Sequence, residues 1–347
     1  MNLIEITKDC YLYHSENIEL IGLVSNIFFN EGRKKRYLEF YDLNFIEEIK
    51  RKYRFLNDIL NELNSHGMSI LELLFNNKSA NNNKDFPIDD FQSLDDYEKH
   101  LLSMEPDDFF YTYFAEYIDK DFIKDALSDV QKLSELYDKN SYITKSFIGL
   151  KTFFDNREMY IKDFFSCARD LKGTQFNNGI KYLEGFLLEE KQKLEKMLKK
   201  DVPLEVSQQI MGKTFHNRGP YNKFIFMPSI FLPYRAIRFF YDYQILIYSI
   251  GNDEFTSADA INKLKAISDE SRLKILEILR KNGPMIGKDL AKSLNIANST
   301  LSHHIEQLSL AGFLNEERVK NSKYYSINSN SLDALVEYLN KLKMNNN

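Results

Sequence analysis

The most regular pattern of hydrophobic and polar positions lies in the last quarter of the chain. A helix is predicted to begin at Ser257, and a second helix is predicted to follow Asp269, whose side chain suits a helix N-cap. Apolar residues recur through the second helix at spacings that give a wide buried stripe, namely Leu273, Ile275, Leu276, Ile278 and Leu279. Gly283 is predicted to form a left-handed C-terminal cap, and Pro284 cannot continue the helix.

Two shorter helices are predicted after this stop. The third helix covers 287–295 and is expected to bury Leu290, Ala291 and Leu294. The fourth runs from about Asn298 to Ala311 and ends at Gly312. Residues three and four positions apart share a face, and the apolar face of this helix is predicted to comprise Leu301, His304, Ile305 and Leu308. A second face has the same spacing and is polar, with Ser299, Ser302, His303 and Glu306.

The pattern after Gly312 changes to that of two strands, predicted over 313–319 and 323–328 and joined around Asn321 and Ser322. Three basic residues flank the tip of this hairpin, namely Arg318, Lys320 and Lys323. A helix with short polar side chains in its first turns suits the DNA major groove, where donors and acceptors meet base edges. A basic hairpin is placed to contact phosphate. The order of elements therefore predicts a winged helix-turn-helix.

Three runs carry a resemblance to a known family: DESRLKILEIL over 269–279, KDLAKSLNIANSTLSHHIEQLSLAGFL over 288–314, and RVKNSKYYSIN over 318–328. In this order they resemble the arsenical-resistance-repressor (ArsR-like) family of winged-helix regulators, over about a quarter of the chain. The resemblance implies sequence-specific binding to double-stranded DNA by a homodimer of repressor type, and control of transcription.

The first and last helices of this region are the expected dimer faces. Apolar residues of the last helix recur at helical spacing, namely Leu332, Leu335, Val336, Leu339 and Leu342. Packing of these residues within one chain is the alternative, and the family's habit of dimerising favours the dimer.

The chain departs from the metal-sensing members of the family. Those members bind metals through cysteines on the third helix or through acidic and histidine ligands on the last helix. Here 284–294 contains no cysteine and 331–343 contains no histidine. His303 and His304 point about 100° apart on a helix and cannot chelate one metal together. We therefore expect no metal site and no cofactor.

The region before Ser257 is predicted to be mostly helical with a small sheet. Strands are predicted over 2–7, 223–229 and 244–250, where β-branched and aromatic residues cluster. An amphipathic helix is predicted to follow Ser15, and 76–90 is asparagine-rich and loop-like. Some long ArsR-like regulators are similar in layout, with an N-terminal domain of unknown function that ends in an aromatic and proline-containing strand.

The predicted fold class is mainly α with small β elements. A helical N-terminal domain is expected over 1–254, with its sheet formed from about 2–8 and 221–250. A C-terminal winged helix-turn-helix domain is expected over 255–343. The short, strand-like junction between them, at about 244–255, favours mechanical coupling over a loose tether.

Charge is divided unevenly between these two parts. The net charge of the chain is −5, which argues against indiscriminate coating of nucleic acid. Residues 257–343 carry 13 basic and 10 acidic side chains, which leaves 33 basic and 41 acidic for the remainder. The excess of positive charge thus lies in the predicted DNA-binding part. The two cysteines give no disulfide framework, and no run approaches a membrane span, so the expected location is the cytoplasm.

The candidate DNA contacts lie on the fourth helix and the hairpin: Asn298, Ser299, Thr300, Ser302, His303, His304, Gln307, Arg318, Lys320 and Lys323. The alternative is an ordinary solvated helix face and a solvated turn. Glu306 would be repelled by phosphate and is expected to mark the end of the contact. His304, which lies among apolar neighbours, is expected either to pack or to touch phosphate.

The function expected is that of a dimeric transcriptional regulator whose N-terminal domain responds to a small-molecule or protein effector. One alternative is an enzyme fused to a winged helix, and another is a protein–protein adaptor. Carboxylates beside aromatic residues at 107–114 fit either a pocket or an aromatic core, and the core is favoured. No phosphate-binding glycine loop, nucleophile elbow or HExxH motif supports an enzyme. Cys10 and Cys167 fit either redox sensors or buried thiols, and buried thiols are favoured.

Overall fold

A computed structural model describes residues 2–28, 36–63, 69–75, 93–140, 143–211, 221–232, 236–240, 243–250, 257–319 and 322–343. The asparagine-rich loop predicted over 76–90, Lys320 and the junction at 251–255 lie outside these residues. Backbone contacts divide the chain into two compact units. The first unit comprises 1–195 and 221–250, and the second comprises 196–220 and 251–347. The predicted functional boundary after residue 254 stays a prediction.

The first unit contains a five-stranded mixed sheet. Its strands are β1 (Asn2–Thr7), β2 (Cys10–His14), β3 (Lys223–Ser229), β4 (Ala236–Phe240) and β5 (Tyr243–Ser249). The order across the sheet is β1-β2-β3-β5-β4, with β3 parallel to both β2 and β5. The central strands β3 and β5 are almost continuous hydrophobic runs and are buried except at one terminal residue each, as is typical of strands covered on both faces. The three predicted strands are confirmed, whereas β2 and β4 were not predicted.

Twelve α-helices and one 3₁₀ helix are described between β2 and β3. They are α1 (Glu16–Phe28), η1 (Arg36–Glu39), α2 (Leu43–Lys52), α3 (Arg54–Glu62), α4 (Ser69–Phe75), α5 (Leu94–Ser103), α6 (Pro106–Tyr113), α7 (Lys120–Ser128), α8 (Val130–Lys139), α9 (Phe147–Asp155), α10 (Arg157–Leu171), α11 (Thr174–Leu198) and α12 (Pro203–Met211). Side-chain caps begin several of them, such as Asp42 before α2 and Ser146 before α9.

The helix predicted after Ser15 is confirmed as α1, but it is not amphipathic, because every residue from Ile18 to Phe28 is buried. Its polar residues find partners inside the first unit. The carboxylate of Glu19 accepts hydrogen bonds from the backbone N–H groups of Ile230 and Phe231, at 3.2 and 3.0 Å. The side-chain amide of Asn26 donates to the carbonyl of Phe231 at 3.0 Å. These bonds attach α1 to the turn that follows β3, which explains how a helix can bury polar residues at little cost.

The aromatic residues around α6 form a core. Phe109, Phe110 and Tyr113 are buried, and the rings of Phe110 and Phe154 stack with centroids 4.1 Å apart. The neighbouring acid Asp108 contacts Lys120 at 2.5 Å on the surface. This arrangement agrees with the favoured interpretation of 107–114 as core residues with solvated acids.

Both cysteines lie in the interior of the first unit and are not disulfide-bonded. Burial raises the pKa of the Cys10 thiol to about 12, and it also raises the pKa of Cys167. Thiols of this kind stay protonated at neutral pH and react slowly. The placement agrees with the interpretation of buried thiols.

The second unit ends in a winged helix-turn-helix. Its elements are α13 (Ser257–Ile267), α14 (Glu270–Asn282), β6 (Met285–Ile286), α15 (Gly287–Leu294), α16 (Asn298–Leu310), β7 (Leu314–Val319), β8 (Ser322–Ile327) and α17 (Ser329–Lys343). The strands form a sheet in the order β6-β8-β7. The four predicted helices and the hairpin are confirmed, and β6 adds a short third strand.

A single hydrophobic cluster holds these elements together. Its buried members are Ala260, Ala266, Ile275, Leu276, Leu279, Leu290, Ala291, Leu301, Ile305, Leu308, Phe313, Leu314 and Leu335. Two predictions at α14 are wrong. Leu273 is 46% exposed and does not join the buried stripe, because α14 turns only part of its apolar arc toward the cluster. Gly283 has φ 74° and ψ −159°, a positive-φ conformation that is not the left-handed helical one.

Candidate nucleic-acid interface

The helix α16 is fixed by its apolar face and presents a polar face to solvent. Leu301, Ile305 and Leu308 are buried in the cluster. The opposite side is exposed, and its members are Asn298, Ser299, Thr300, Ser302, His303 and Glu306. Five of the predicted contacts, Asn298, Ser299, Thr300, Ser302 and His303, therefore lie with Glu306 on one accessible surface, which we call the recognition face.

The turn before α16 sets how this helix leaves α15. Asn295 ends α15 in the left-handed conformation, at φ 53° and ψ 44°, which asparagine tolerates better than most residues. The N–H of Ile296 then bonds to the carbonyl of Ala291 at 3.1 Å. The N-cap of α16 is Ala297, and no side chain caps the first N–H groups. Those groups are therefore available to an anion such as a phosphate oxygen.

Hydrogen bonding within the recognition face limits what Ser302 can offer. Its hydroxyl donates to the carbonyl of Asn298 at 2.9 Å, one turn earlier. The hydroxyl oxygen can still accept from an outside donor, while donation to a base would require its rotation. His303 is exposed beside it and can donate or accept through its ring nitrogens.

His304 does not share the recognition face. Its side chain is 13% exposed, and its Nδ1 lies 3.7 Å from a carboxylate oxygen of Asp269. Asp269 caps α14 by accepting from the N–H of Arg272 at 3.0 Å. That hydrogen bond is the first cause that lowers the pKa of Asp269, and the charges of Arg272 and His304 lower it further. Of the predicted contacts on α16, His304 thus faces the scaffold, and Gln307 is half-buried.

The wing is a two-stranded hairpin with basic residues toward its tip. Arg318 of β7 pairs with Lys323 of β8 in an antiparallel register. Lys323 is exposed, and its ammonium lies 5.6 Å from the centroid of the Tyr325 ring. For Arg318 the description covers only the backbone, and Lys320 lies outside the described residues.

A groove of about 380 Å³ runs between α16 and β8. It is lined by Ser302, Ile305, Glu306, Ser309, Leu310, Lys323 and Tyr325. Sequence reasoning did not single out Leu310 or Tyr325. Tyr325 could have been predicted from the alternation of side chains along a strand, since Lys323 and Tyr325 point to the same side of β8. Glu306, expected at the end of the contact surface, lines this groove.

Two features are absent from the described residues, namely a metal-binding cluster and a membrane-spanning helix. Within these ranges, no three His, Cys, Asp or Glu side chains converge in a way that could hold a metal ion. No helix in the described part of the chain is long and apolar enough to cross a membrane.

Known proteins resemble the region that contains this interface. A helix-turn-helix domain family matches residues 267–317. The transcriptional repressor SdpR of Bacillus subtilis is 37% identical over 84 residues, which make up 23% of this chain and 92% of that protein. The chain belongs to the ArsR-like family of winged helix-turn-helix transcriptional regulators.

Two further relatives match about a quarter of the chain. The transcriptional activator HlyU of Vibrio cholerae is 34% identical over 89 residues, covering 26% of this chain and 82% of that protein. The arsenical resistance operon repressor of Staphylococcus aureus is 32% identical over 83 residues, covering 24% of this chain and 79% of that protein. Among solved structures, HlyU from Vibrio cholerae matches with 32% identity and a TM-score of 0.21, over 25% of this chain and 92% of that chain.

Proposed function

We propose that this ArsR-like regulator is a cytoplasmic, non-catalytic homodimer that binds double-stranded DNA at specific sequences through α16 and the wing. The observation that carries the proposal is the recognition face. Its short polar side chains are exposed on a helix whose other side is locked into the hydrophobic cluster. A rigid helix with accessible donors and acceptors in its first turns is what readout of base edges requires.

We assign two roles within the interface. Asn298, Ser299, Thr300, Ser302 and His303 are proposed to meet base edges and nearby phosphates. Arg318, Lys320 and Lys323 of the wing are proposed to contact phosphate only, which adds affinity without sequence preference. Gln307 is proposed to lie at the border of the contact with DNA. His304 is packed against the scaffold, which favours a supporting role over direct contact with DNA.

Dimerisation is proposed to use α13 and α17. Ile261 and Leu264 of α13 and Val336 and Leu342 of α17 are all at least 40% exposed in the single chain. Large apolar side chains on two helices that pack together are typical of a surface covered by a second copy. A two-fold symmetric dimer would present its two α16 helices to a palindromic operator.

The N-terminal domain is proposed to respond to a small-molecule or protein effector and so to change the separation of the two recognition helices. A shift of a few ångströms prevents both helices from docking at once on half-sites one turn apart. A flexible glycine–serine insert between Ile250 and Ser257 should keep DNA binding but abolish the response of a promoter reporter to the effector. An unchanged effector response with the insert present would rule out this coupling. Repression is the proposed direction of control. Reporter expression that decreases when the protein is removed would contradict repression.

The direct test compares binding of the purified full chain to its own promoter DNA with binding by a Ser302→Ala/His303→Ala variant. We expect the variant to lose about 10- to 100-fold in specific affinity, since each good base contact contributes about 1–3 kcal/mol. A matched control is Lys124→Ala/Ser128→Ala on α7. It removes an exposed basic residue and an exposed serine whose hydroxyl also donates to a backbone carbonyl. Equal affinity of the two variants would overturn the assignment of the recognition face.

A further inference from the structure

Lys263 of α13 makes three contacts that converge at the end of α16. Its ammonium donates to the carbonyl of Ala311 at 2.6 Å and contacts the hydroxyl of Ser331 on α17. The same ammonium lies 4.9 Å from the centroid of the Phe313 ring, which is fully buried. A half-buried cation held by a carbonyl, a hydroxyl and an aromatic face is constrained in position.

The contact with Ala311 matters because Ala311 is the C-cap of α16. The last carbonyls of a helix lack partners within the helix, and its C-terminal end carries a partial negative charge. A lysine at that end satisfies both the hydrogen bond and the charge. Here the lysine comes from a different helix, so the same bond that caps α16 also attaches it to α13.

A second connection joins the same helices nearer the middle of α16. Arg272 at the start of α14 donates through its guanidinium to the carbonyls of Ala266 and Lys265, in the last turn of α13. The adjacent Asp269 faces His304 of α16 at 3.7 Å. The distance between Asp269 and His304 is too long for a hydrogen bond, so this connection is looser than the one made by Lys263. The Lys263 bond therefore adds a close polar link between α13 and the C-terminal end of α16 to the apolar packing that already holds this helix.

We propose that Lys263 is a positioning residue for DNA recognition, which fixes the orientation of α16 without touching DNA. The proposal rests on the proposed DNA-binding function. Base contacts depend on the distance and angle of each side chain, whereas attraction to the phosphate backbone tolerates a tilt of the helix. Loss of the Lys263 contacts should therefore reduce specific binding and leave non-specific binding nearly intact.

The test measures specific and non-specific DNA affinity across a salt series for four variants of the full chain. Lys263→Met keeps the apolar stem over Phe313 and removes the hydrogen bonds. Lys263→Arg restores a donor, and Ser331→Ala removes one partner without altering the lysine. Lys265→Met, at an exposed position of the same helix, is the matched control. Thermal unfolding of each variant establishes that it is folded at the assay temperature.

We expect Lys263→Met to lose about 10-fold or more of the specific affinity while its non-specific affinity stays within about two-fold. Lys263→Arg should recover most of the loss, Ser331→Ala should show a smaller loss in the same direction, and Lys265→Met should match the wild type. The salt dependence of non-specific binding should be the same for Lys263→Met and the wild type.

Three outcomes would overturn the proposal. The first is a Lys263→Met variant whose specific affinity equals that of the wild type. The second is a Lys263→Met variant that loses specific and non-specific affinity together and has a shallower salt dependence, as loss of a phosphate contact would cause. If Lys263→Met does not fold, an unchanged ratio of specific to non-specific affinity in Ser331→Ala overturns it instead. A wild-type chain without sequence preference would refute the proposed function itself, and a preference that Lys263→Met leaves unchanged would refute only the positioning role.

Discussion

Glu19 shows how a single buried side chain ties distant parts of the first unit together. Its carboxylate bonds to the turn at Ile230 and Phe231, which lies more than 200 residues further along the chain. Burial raises the pKa of Glu19 to about 7, although the hydrogen bonds from Phe231, Ser229 and Ile230 act in the opposite direction. The carboxyl group therefore changes its charge close to neutral pH.

The raised pKa of Glu19 predicts the direction in which stability changes with pH. Between pH 4.5, the ordinary pKa of this group, and about 7, the folded chain holds a proton that the unfolded chain releases. The free energy of unfolding must therefore fall as the pH rises through this window. We expect Glu19→Gln to remove this fall, which is on the order of 2 kcal/mol for the first unit.

Urea unfolding at pH 5 and pH 8 measures this effect. The control is Glu48→Gln, which alters an exposed carboxylate on α2 and should leave the pH dependence unchanged. A Glu19→Gln variant with the same pH dependence as the wild type would contradict the role of this carboxyl group.

Residue types alone could not separate packed from accessible side chains in α14 and α16. His303 and His304 are neighbours in sequence, yet one is exposed and the other faces Asp269. The spacing of His304 with Leu301 and Ile305 placed it correctly on the inner face. Its partner was not predictable, because Asp269 comes from a different helix. Leu273 was mispredicted for a related reason: its exposure depends on which part of α14 its neighbours cover.

At the scale of elements, helix ends were predictable from local chemistry, whereas short strands were not. Asp269 and Gly312 mark helix boundaries in the sequence, and the structure confirms both. The strand β2 has only five residues, too few for an alternating pattern to stand out. It pairs with β1 across a short turn and with β3, which follows more than 200 residues later. A strand this short is stabilised by the sheet that it joins, and that sheet is assembled from segments far apart in sequence.

The N-cap of α14 offers a test at this scale. We expect Asp269→Ala to destabilise α14 by about 1 kcal/mol, because it removes the acceptor for the Arg272 N–H. Asp269→Asn should destabilise the helix by less than half as much, since asparagine caps helices well. The remaining loss comes from the missing negative charge beside His304. Hydrogen exchange of the α14 amide groups measures both. Equal losses in the two variants would show that the charge, and not the cap, stabilises this helix end.

At the scale of the whole molecule, the order of elements in the winged helix-turn-helix followed from the sequence because its contacts are mostly local. The grouping of 196–220 with 251–347 did not follow, because chain order does not reveal which distant segments pack together. The proposed dimer also belongs to the scale of the whole molecule, since it requires a second copy of the chain.

An aspartate placed in the proposed dimer face should separate the two copies. Ile261→Asp puts a charge at a position that is 50% exposed in the single chain and would be buried in the dimer. We expect sedimentation to show a monomer at concentrations where the wild type is dimeric. Ile148→Asp, at an exposed apolar position of α9, should remain dimeric. A dimer that survives Ile261→Asp would place the interface elsewhere.

The central claim, that this chain recognises particular DNA sequences, is tested most directly by selection from a random pool of double-stranded DNA with the purified full chain. The account predicts that the recovered sequences share a two-fold symmetric site, with half-sites about ten base pairs apart or a multiple of that spacing. It also predicts that the affinity for this site falls as salt is raised. Recovery of sequences no different from the starting pool, at every salt concentration, would contradict the claim.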